Sequence, residues 1–311
     1  MEMKKTVIEK HISTMLSNDY VLEVHSGTSA LIISLLLQKD KSKKNEVLLP
    51  SICCPAVLNA INFCNLKPVF VDMETEFFNM DLNSTKDSIN KNTLAIVGVH
   101  SYGIAFDTKG IRNLCDENQI LFIEDCCLSI GGRADDDVVG ASGDISIFSF
   151  GHGKIISSAG GGMSFKNKID FDNAAKLVSK NNLLRCPSYD DIEIARKFDT
   201  LEENINNRRK VAKIYYEVIN NNKFIKPLFR DTDVYWRYPL LIRGSRTEFL
   251  EKAQENNLII TYHYPSLANF QYGNKLGVAD EFNKSVINLF VNIDTKDKYV
   301  EKVCNLINEY E

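Results

Sequence analysis

An α/β fold, with a mostly parallel seven-stranded sheet between helices and a smaller C-terminal α+β unit, is expected from three features of the 311-residue chain. Short, continuous apolar segments alternate with amphipathic ones through the first two-thirds of the sequence. Strands apolar on both faces belong to parallel sheets covered by helices on both sides. After about Asp170 the chain turns polar and helix-prone, and a second, shorter set of strand and helix patterns follows. Composition fits a folded globular chain: 44% hydrophobic and 25% charged residues allow a large core.

The expected strands are Val21–Val24, Glu46–Leu49, Pro68–Val71, Leu94–Val99, Ile120–Ile123, Ile145–Phe150 and Gly162–Phe165. Helical patterns lie between them at Ser29–Leu37, Ala56–Phe63 and Thr108–Asn118. Right-handed crossovers bring the C-terminal ends of such strands to one edge, where open α/β sheets hold ligands. From Asp190 to Asn220 the pattern reads as one long polar helix, ending in NINNRRKVAKIYYEVI and joining two units. These units are residues 1–205 and 206–311. In the second, Tyr235–Ile242 reads as a strand, Arg246–Asn256 as a helix and Leu258–Tyr262 as a strand. Ser285–Val291 reads as a buried segment and Lys296–Tyr310 as a closing helix.

Several function classes are disfavoured. Lys and Arg total 37 against 41 Asp and Glu, a net charge of -4, and nonspecific nucleic-acid binding needs a basic footprint. The longest apolar stretch, near Ala30–Leu37, contains Ser34 and falls well short of the roughly 20 apolar residues of a membrane span. The opening MEMKKTVIEKHIS lacks the apolar core of a secretory signal, so a cytoplasmic protein is expected. The eight cysteines, at 53, 54, 64, 115, 126, 127, 186 and 304, include two adjacent pairs and no CxxC spacing. They read as buried thiols in a reducing compartment, without a metal site.

The chemistry concentrates at strand ends. SGTSAL, Ser26–Leu31, follows a strand and opens a helix. Thr28 and Ser29 there offer hydroxyls and amides to an anion, or simply cap the helix. Asp125 follows an apolar strand; a carboxylate there suits a protonated ring nitrogen, an N-cap or a loop ion pair. Lys154 stands in Gly151-His152-Gly153-Lys154, five positions after Ser149. A Lys in such a setting can form a Schiff base, and the glycines allow close backbone approach to a ligand. His152 reads as loop lining or as a lesser catalytic candidate. Gly160–Gly162 reads as a turn into the next strand.

Taken in order, SGTSAL, VFVD, VHSYG, IEDCCLSIGG, GDISIFSFGHGKIISSAGGG, the RRKVAKIYYEVI helix and ITYHYP resemble the DegT/StrS-type nucleotide-sugar aminotransferases, fold type I pyridoxal 5'-phosphate (PLP) enzymes. The resemblance spans essentially the whole chain. It implies that Lys154 is the lysine that holds the cofactor covalently and then moves the substrate proton. It implies that Asp125 pairs with the pyridine nitrogen and that Thr28, Ser29 and Ser149 hold the cofactor phosphate. It places Tyr264 beside the sugar pocket. It further implies a homodimer with sites built from both subunits. The amino group would move, usually from glutamate, onto a keto-sugar of a nucleotide diphosphate for surface-glycan building. A His in place of Lys154 would favour sugar dehydration; the Lys favours transamination.

The chain departs from the family pattern in four places. It starts almost at the first helix, so part of the usual substrate and dimer surface is expected to be missing. Cys54 stands where the family often places an aromatic ring over the cofactor. Leu128 replaces a polar group that normally reaches the cofactor region. Cys186 falls where an Asn that contacts the cofactor phosphate across the dimer is expected, and Arg185 is the candidate substitute. A different PLP reaction on the same scaffold, or a noncatalytic binding protein, are the alternative readings.

Overall fold

The computed structural model describes residues 5–134, 136–272, 276–292 and 297–311. Residues 1–4 of the opening segment and Lys296, the expected start of the closing helix, lie outside them. Seven strands form the central sheet: β1 (Val21–Val24), β2 (Glu46–Pro50), β3 (Lys67–Val71), β4 (Thr93–Val99), β5 (Leu121–Asp125), β6 (Ile145–Ser149) and β7 (Gly161–Phe165). Their order across the sheet is β1-β7-β6-β5-β4-β2-β3. β2 through β6 pair in parallel, while β7 runs antiparallel to both β1 and β6. β1 therefore points the same way as β6, and the C-terminal ends of β1, β5 and β6 share one edge.

Helices cover both faces, as doubly buried strands require. Gly27–Lys39, Pro55–Phe63 and Lys168–Lys180 pack on one face through Leu31, Ile33, Leu58, Ile61, Ala174 and Val178. Thr108–Asn118 covers part of the other with Ile111, Leu114 and Cys115. The first helix, Val7–Leu16, begins with a capping box. Thr6 accepts from the Glu9 amide and the Glu9 side chain accepts from the Thr6 amide. Its Ile8 and Ile12 pack beneath β7, against Phe148 and Phe150.

A three-stranded antiparallel sheet, Phe224–Ile225, Tyr238–Ile242 and Val286–Leu289, carries the C-terminal part with helices Arg246–Glu255, Gly277–Ser285 and Asp297–Asn308. Its core also takes in Ile52, Phe78, Tyr102 and Ile104 from the N-terminal part, so apolar packing is continuous between the two.

Three elements differ from expectation. The Asp190–Asn220 segment is two helices, Asp191–Asp199 and Leu201–Val218, because Thr200 leaves helical geometry at φ -95, ψ 8. The strand expected at Leu258–Tyr262 is reduced to one bridge, Thr261 with Asn288. Ile259 and Tyr262 there are exposed, so no burial rewards a longer pairing. The strand expected from Tyr235 begins at Tyr238, because Tyr235 takes a left-handed φ of 56.

Candidate active site

The shared strand edge gathers most of the expected site residues around one cavity of about 190 Å3. Its lining includes Gly27, Thr28, Cys54, Asp125, Cys127, Ile147, Ser149 and Lys154. Each arrives on its own element. Ser26 caps the Gly27–Lys39 helix, its Oγ accepting from the Ser29 amide at 3.1 Å. That bond uses the third amide of the helix. The amides of Gly27 and Thr28 before it have no acceptor among the described residues. With the helix dipole they form a site for a phosphate. Gly27 is required there, because a Cβ would lie 2.7 Å from Cys127 Sγ and 3.0 Å from Ser149 Cβ. Ser29 stands one step behind the cavity, with its hydroxyl 3.1 Å from that of Ser26.

Asp125 is the last residue of β5 rather than a loop residue, and only 6% of it is exposed. One oxygen accepts from the Cys127 amide at 2.9 Å. Among the described residues no cation stands within ion-pair distance of it. A buried carboxylate in that state calls for a cationic partner. Lys154 lies half-buried across the same cavity. Both charges reach the thiol between them. Burial and Asp125 push the Cys127 thiol up, while the Lys154 ammonium works the other way.

The Lys154 loop is held from outside the cavity. Gly153 takes a left-handed φ of 77, and its carbonyl accepts from Trp236 Nε1 at 2.7 Å. His152 is exposed on the loop and is not among the residues that line this cavity. Tyr264 borders the site. Its ring runs nearly parallel to Trp236 at 6.3 Å and 11°, and burial beside Cys54, Tyr102 and Asp125 pushes its hydroxyl well above the usual range.

The departures from the family pattern can be placed one by one. Cys54 lines the cavity, so a thiol and not an aromatic ring meets a ligand on that side. Leu128 is buried and apolar, with no hydrogen bond to offer. Arg185 is exposed, donates to the Ser179 carbonyl and is not among the residues that line the cavity. Cys186 packs against Gly160, and burial with Glu23 close by pushes its thiol up.

Sequence reasoning missed Cys127, Ile147 and Trp236. Cys127 was findable, since it follows Asp125 by two residues at a strand end. Trp236 carried no signal, because its bond to the Lys154 loop joins residues 83 positions apart.

The donor set fits a pyridine ring carrying a phosphate: free amides and hydroxyls at one end, a carboxylate without a cation at the other, and an amine between them. A profile of the DegT/DnrJ/EryC1/StrS aminotransferase family matches residues 3–186 and 194–308. The chain belongs to that family. Among relatives, the GDP-perosamine synthase of Escherichia coli O157:H7 is 28% identical over 94% of this chain and 85% of its own length. The GDP-perosamine synthase of Vibrio cholerae is 35% identical over 55% of this chain, and there the chain spans 47% of the relative's length. Among solved structures, Helicobacter pylori PseC, an aminotransferase of pseudoaminic acid biosynthesis, superposes with a TM-score of 0.86 at 21% identity. It covers 98% of this chain and 91% of its own. The PLP form of Spr1654 from Streptococcus pneumoniae gives 0.87 at 17% identity, with 98% and 91% covered. These likenesses establish the fold of a DegT/DnrJ/EryC1/StrS member, whose aminotransferases use PLP. No helix among the described residues is long and apolar enough to cross a membrane.

Proposed function

We propose that this chain is a PLP-dependent aminotransferase that moves an amino group from glutamate onto a keto-sugar carried by a nucleotide diphosphate, in surface polysaccharide biosynthesis. One observation carries the reading: Lys154, Asp125, Thr28 and Ser149 line a single cavity at the strand edge. The relatives named as GDP-perosamine synthases support the substrate class. When bound, PLP supplies a reactive carbonyl and an electron-withdrawing ring.

The chain's own groups then have distinct tasks. The amides of Gly27 and Thr28, with the hydroxyls of Thr28 and Ser149, bind the phosphate and fix the ring's position. Ser29 supports them through the cap. Asp125, in its buried site, holds a proton at the ring nitrogen and so keeps the ring an electron sink. Lys154 Nζ would hold the cofactor at its carbonyl and would serve as the base that carries the proton to and from the substrate carbon. Trp236 is a positioning residue through its bond to Gly153. Tyr264 forms the wall facing the sugar.

Three further parts belong to this reading. Residues 1–205 hold the cofactor, and residues 206–311 form a small domain that completes the substrate side. Two copies form a homodimer: Leu183 and Ile192, 81% and 82% exposed, present apolar surface on the segment where the family resemblance puts the subunit contact. All eight cysteines are free thiols, in keeping with a cytoplasmic protein.

The test is the visible spectrum of the purified protein. The wild type is expected to show the absorbance of a lysine-bound cofactor, to be trapped by borohydride on Lys154, to bleach with glutamate and to recover with a keto-sugar nucleotide. A Lys154→Ala protein that still traps the cofactor covalently would refute the assignment. Failure of the wild type to bind PLP at millimolar concentration favours a noncatalytic protein.

A further inference from the structure

Two guanidinium groups meet at one carbonyl beside the site. Arg237 Nη1 donates to the Trp236 carbonyl at 2.9 Å, and Arg208 Nη1 reaches the same oxygen at 3.4 Å. Arg208 also reaches the Tyr235 carbonyl at 3.4 Å and donates from Nε to Asn204 Oδ1 at 2.9 Å. Arg208 is 5% exposed. Arg237 Nε is buried with no hydrogen-bond partner. Among the described residues neither group has a carboxylate within ion-pair distance. Carbonyl oxygens and two aromatic rings, without a carboxylate among the described residues, face two adjacent positive charges.

The charge of Arg237 acts on its neighbours. Burial, with Arg237 adding repulsion, lowers Arg208 to about 10. Burial lowers Arg237 as well. His263, on the Tyr264 side, is also lowered by burial and then by Arg237. Arg208 is buried and Arg237 half-buried, and like charges paired in that setting are costly and call for a counter-charge. A structural role as donors to carbonyls needs no charge, so it does not account for two guanidiniums at this point.

The pair stands next to the chemistry. Arg237 Cζ lies 4.5 Å from the Trp236 ring centre and 4.2 Å from that of Phe290, so cation–π contacts to both rings help to position it. Trp236 in turn holds the Gly153 carbonyl and lies along Tyr264, whose hydroxyl feels Cys54 and Asp125. One layer of side chains therefore separates Arg237 from the cavity of Lys154.

We propose that Arg208 and Arg237 form an oxyanion subsite on the substrate side of this cavity, which takes a carboxylate or phosphate of a reacting molecule. Planar guanidiniums match both groups with two parallel hydrogen bonds, and the unpartnered Arg237 Nε supplies one donor. The assignment of the anion to a reacting molecule rests on the aminotransferase reading; the existence of the subsite does not. Two sources share the chemistry: the carboxylate of the amino donor and the diphosphate of the nucleotide sugar.

Trp236 is the one tryptophan of the chain and sits against Arg237, so its fluorescence reports the subsite. The PLP-saturated protein is titrated at constant ionic strength with glutarate and, separately, with inorganic pyrophosphate. A saturable change with either probe is expected, glutarate marking the amino donor and pyrophosphate the nucleotide sugar. Arg237→Gln is expected to weaken that probe about tenfold or more, with Arg237→Lys between the two. The KM of the matching substrate should rise in parallel at nearly constant kcat, with the cofactor spectrum retained. The proposal is overturned if neither probe alters Trp236 emission, or if Arg237→Gln binds as tightly as the wild type. Should Arg237→Gln fail to fold, Arg208→Lys and Arg237→Lys carry the same comparison. A wild type without a cofactor band would sink the aminotransferase reading, while the same titration of the cofactor-free wild type and Arg237→Gln would still decide the subsite.

Discussion

Glu124 and Asp125 end the same strand, one residue apart, and face opposite sides of the sheet. Glu124 is enclosed. His100 Nε2 stands 3.1 Å from one of its oxygens, and the amides of Gly140, Ser142 and Gly143 donate to it at 2.7, 3.0 and 2.8 Å. Burial opposes its charge, yet His100 and those amides outweigh burial and hold its carboxyl below the usual range. Asp125 accepts one amide and otherwise faces a cavity. The difference teaches how to separate structure from chemistry among buried acids. A carboxylate whose lone pairs are all filled by its own chain stabilises the fold, and one left incomplete is waiting for a ligand.

Exchanging each acid for its amide is the most direct way to break this comparison. Asp125→Asn is expected to lower kcat about 10³-fold while leaving the melting temperature level, measured by steady-state kinetics and calorimetry on the same sample. Glu124→Gln is expected to do the reverse. Its amide nitrogen cannot accept from the Gly140–Gly143 loop, so it should cost about 3 kcal/mol of stability by urea denaturation. Equal losses of activity and stability in both variants would erase the distinction.

Acid sharpens it. Glu124 has a folded-state pKa below its ordinary 4.5, so its stabilisation is fully present above 4.5 and lost as pH falls through the lower, folded value. The urea midpoint of the wild type should therefore fall from about pH 4 to about pH 3 more steeply than that of Glu124→Gln. A parallel decline would assign the acid limb to other carboxylates. The smallest expected effect belongs to the phosphate end. In Gly27→Ala, the new methyl must push Cys127 Sγ and Ser149 aside, at about 2 kcal/mol or less, read as weaker PLP binding by equilibrium dialysis.

The large sheet was legible because each strand is a continuous apolar run closed by a change of residue type, and only its ends shifted by a residue or two. Thr200 broke the long helix without a Gly or Pro to announce it. The helix Lys168–Lys180 and the short Arg133–Ala134 hairpin were missed, the first behind its many charged residues and the second for its length. In the site, Lys154, Asp125, Thr28 and Ser149 were readable because strand-end chemistry is local in sequence. Tyr264 was readable only through the family resemblance. Arg208 and Arg237 were not singled out. The first lies within a run of ordinary helix charges, and the second stands two residues after Tyr235, whose backbone no propensity would place in the left-handed region.

The reversed strand β7 has a consequence for the order in which the molecule is built. β1 sits at the sheet's edge with β7 as its partner, so Val21 finds Ser164 only after some 140 intervening residues have left the ribosome. Until then the helix that starts at Gly27 rests on Pro55–Phe63 and β6 without its contacts to β7, and the flank of β6 stays open to other chains. The phosphate cradle is therefore among the last pieces of the large sheet to be completed during synthesis, although Gly27 and Thr28 are made long before β7.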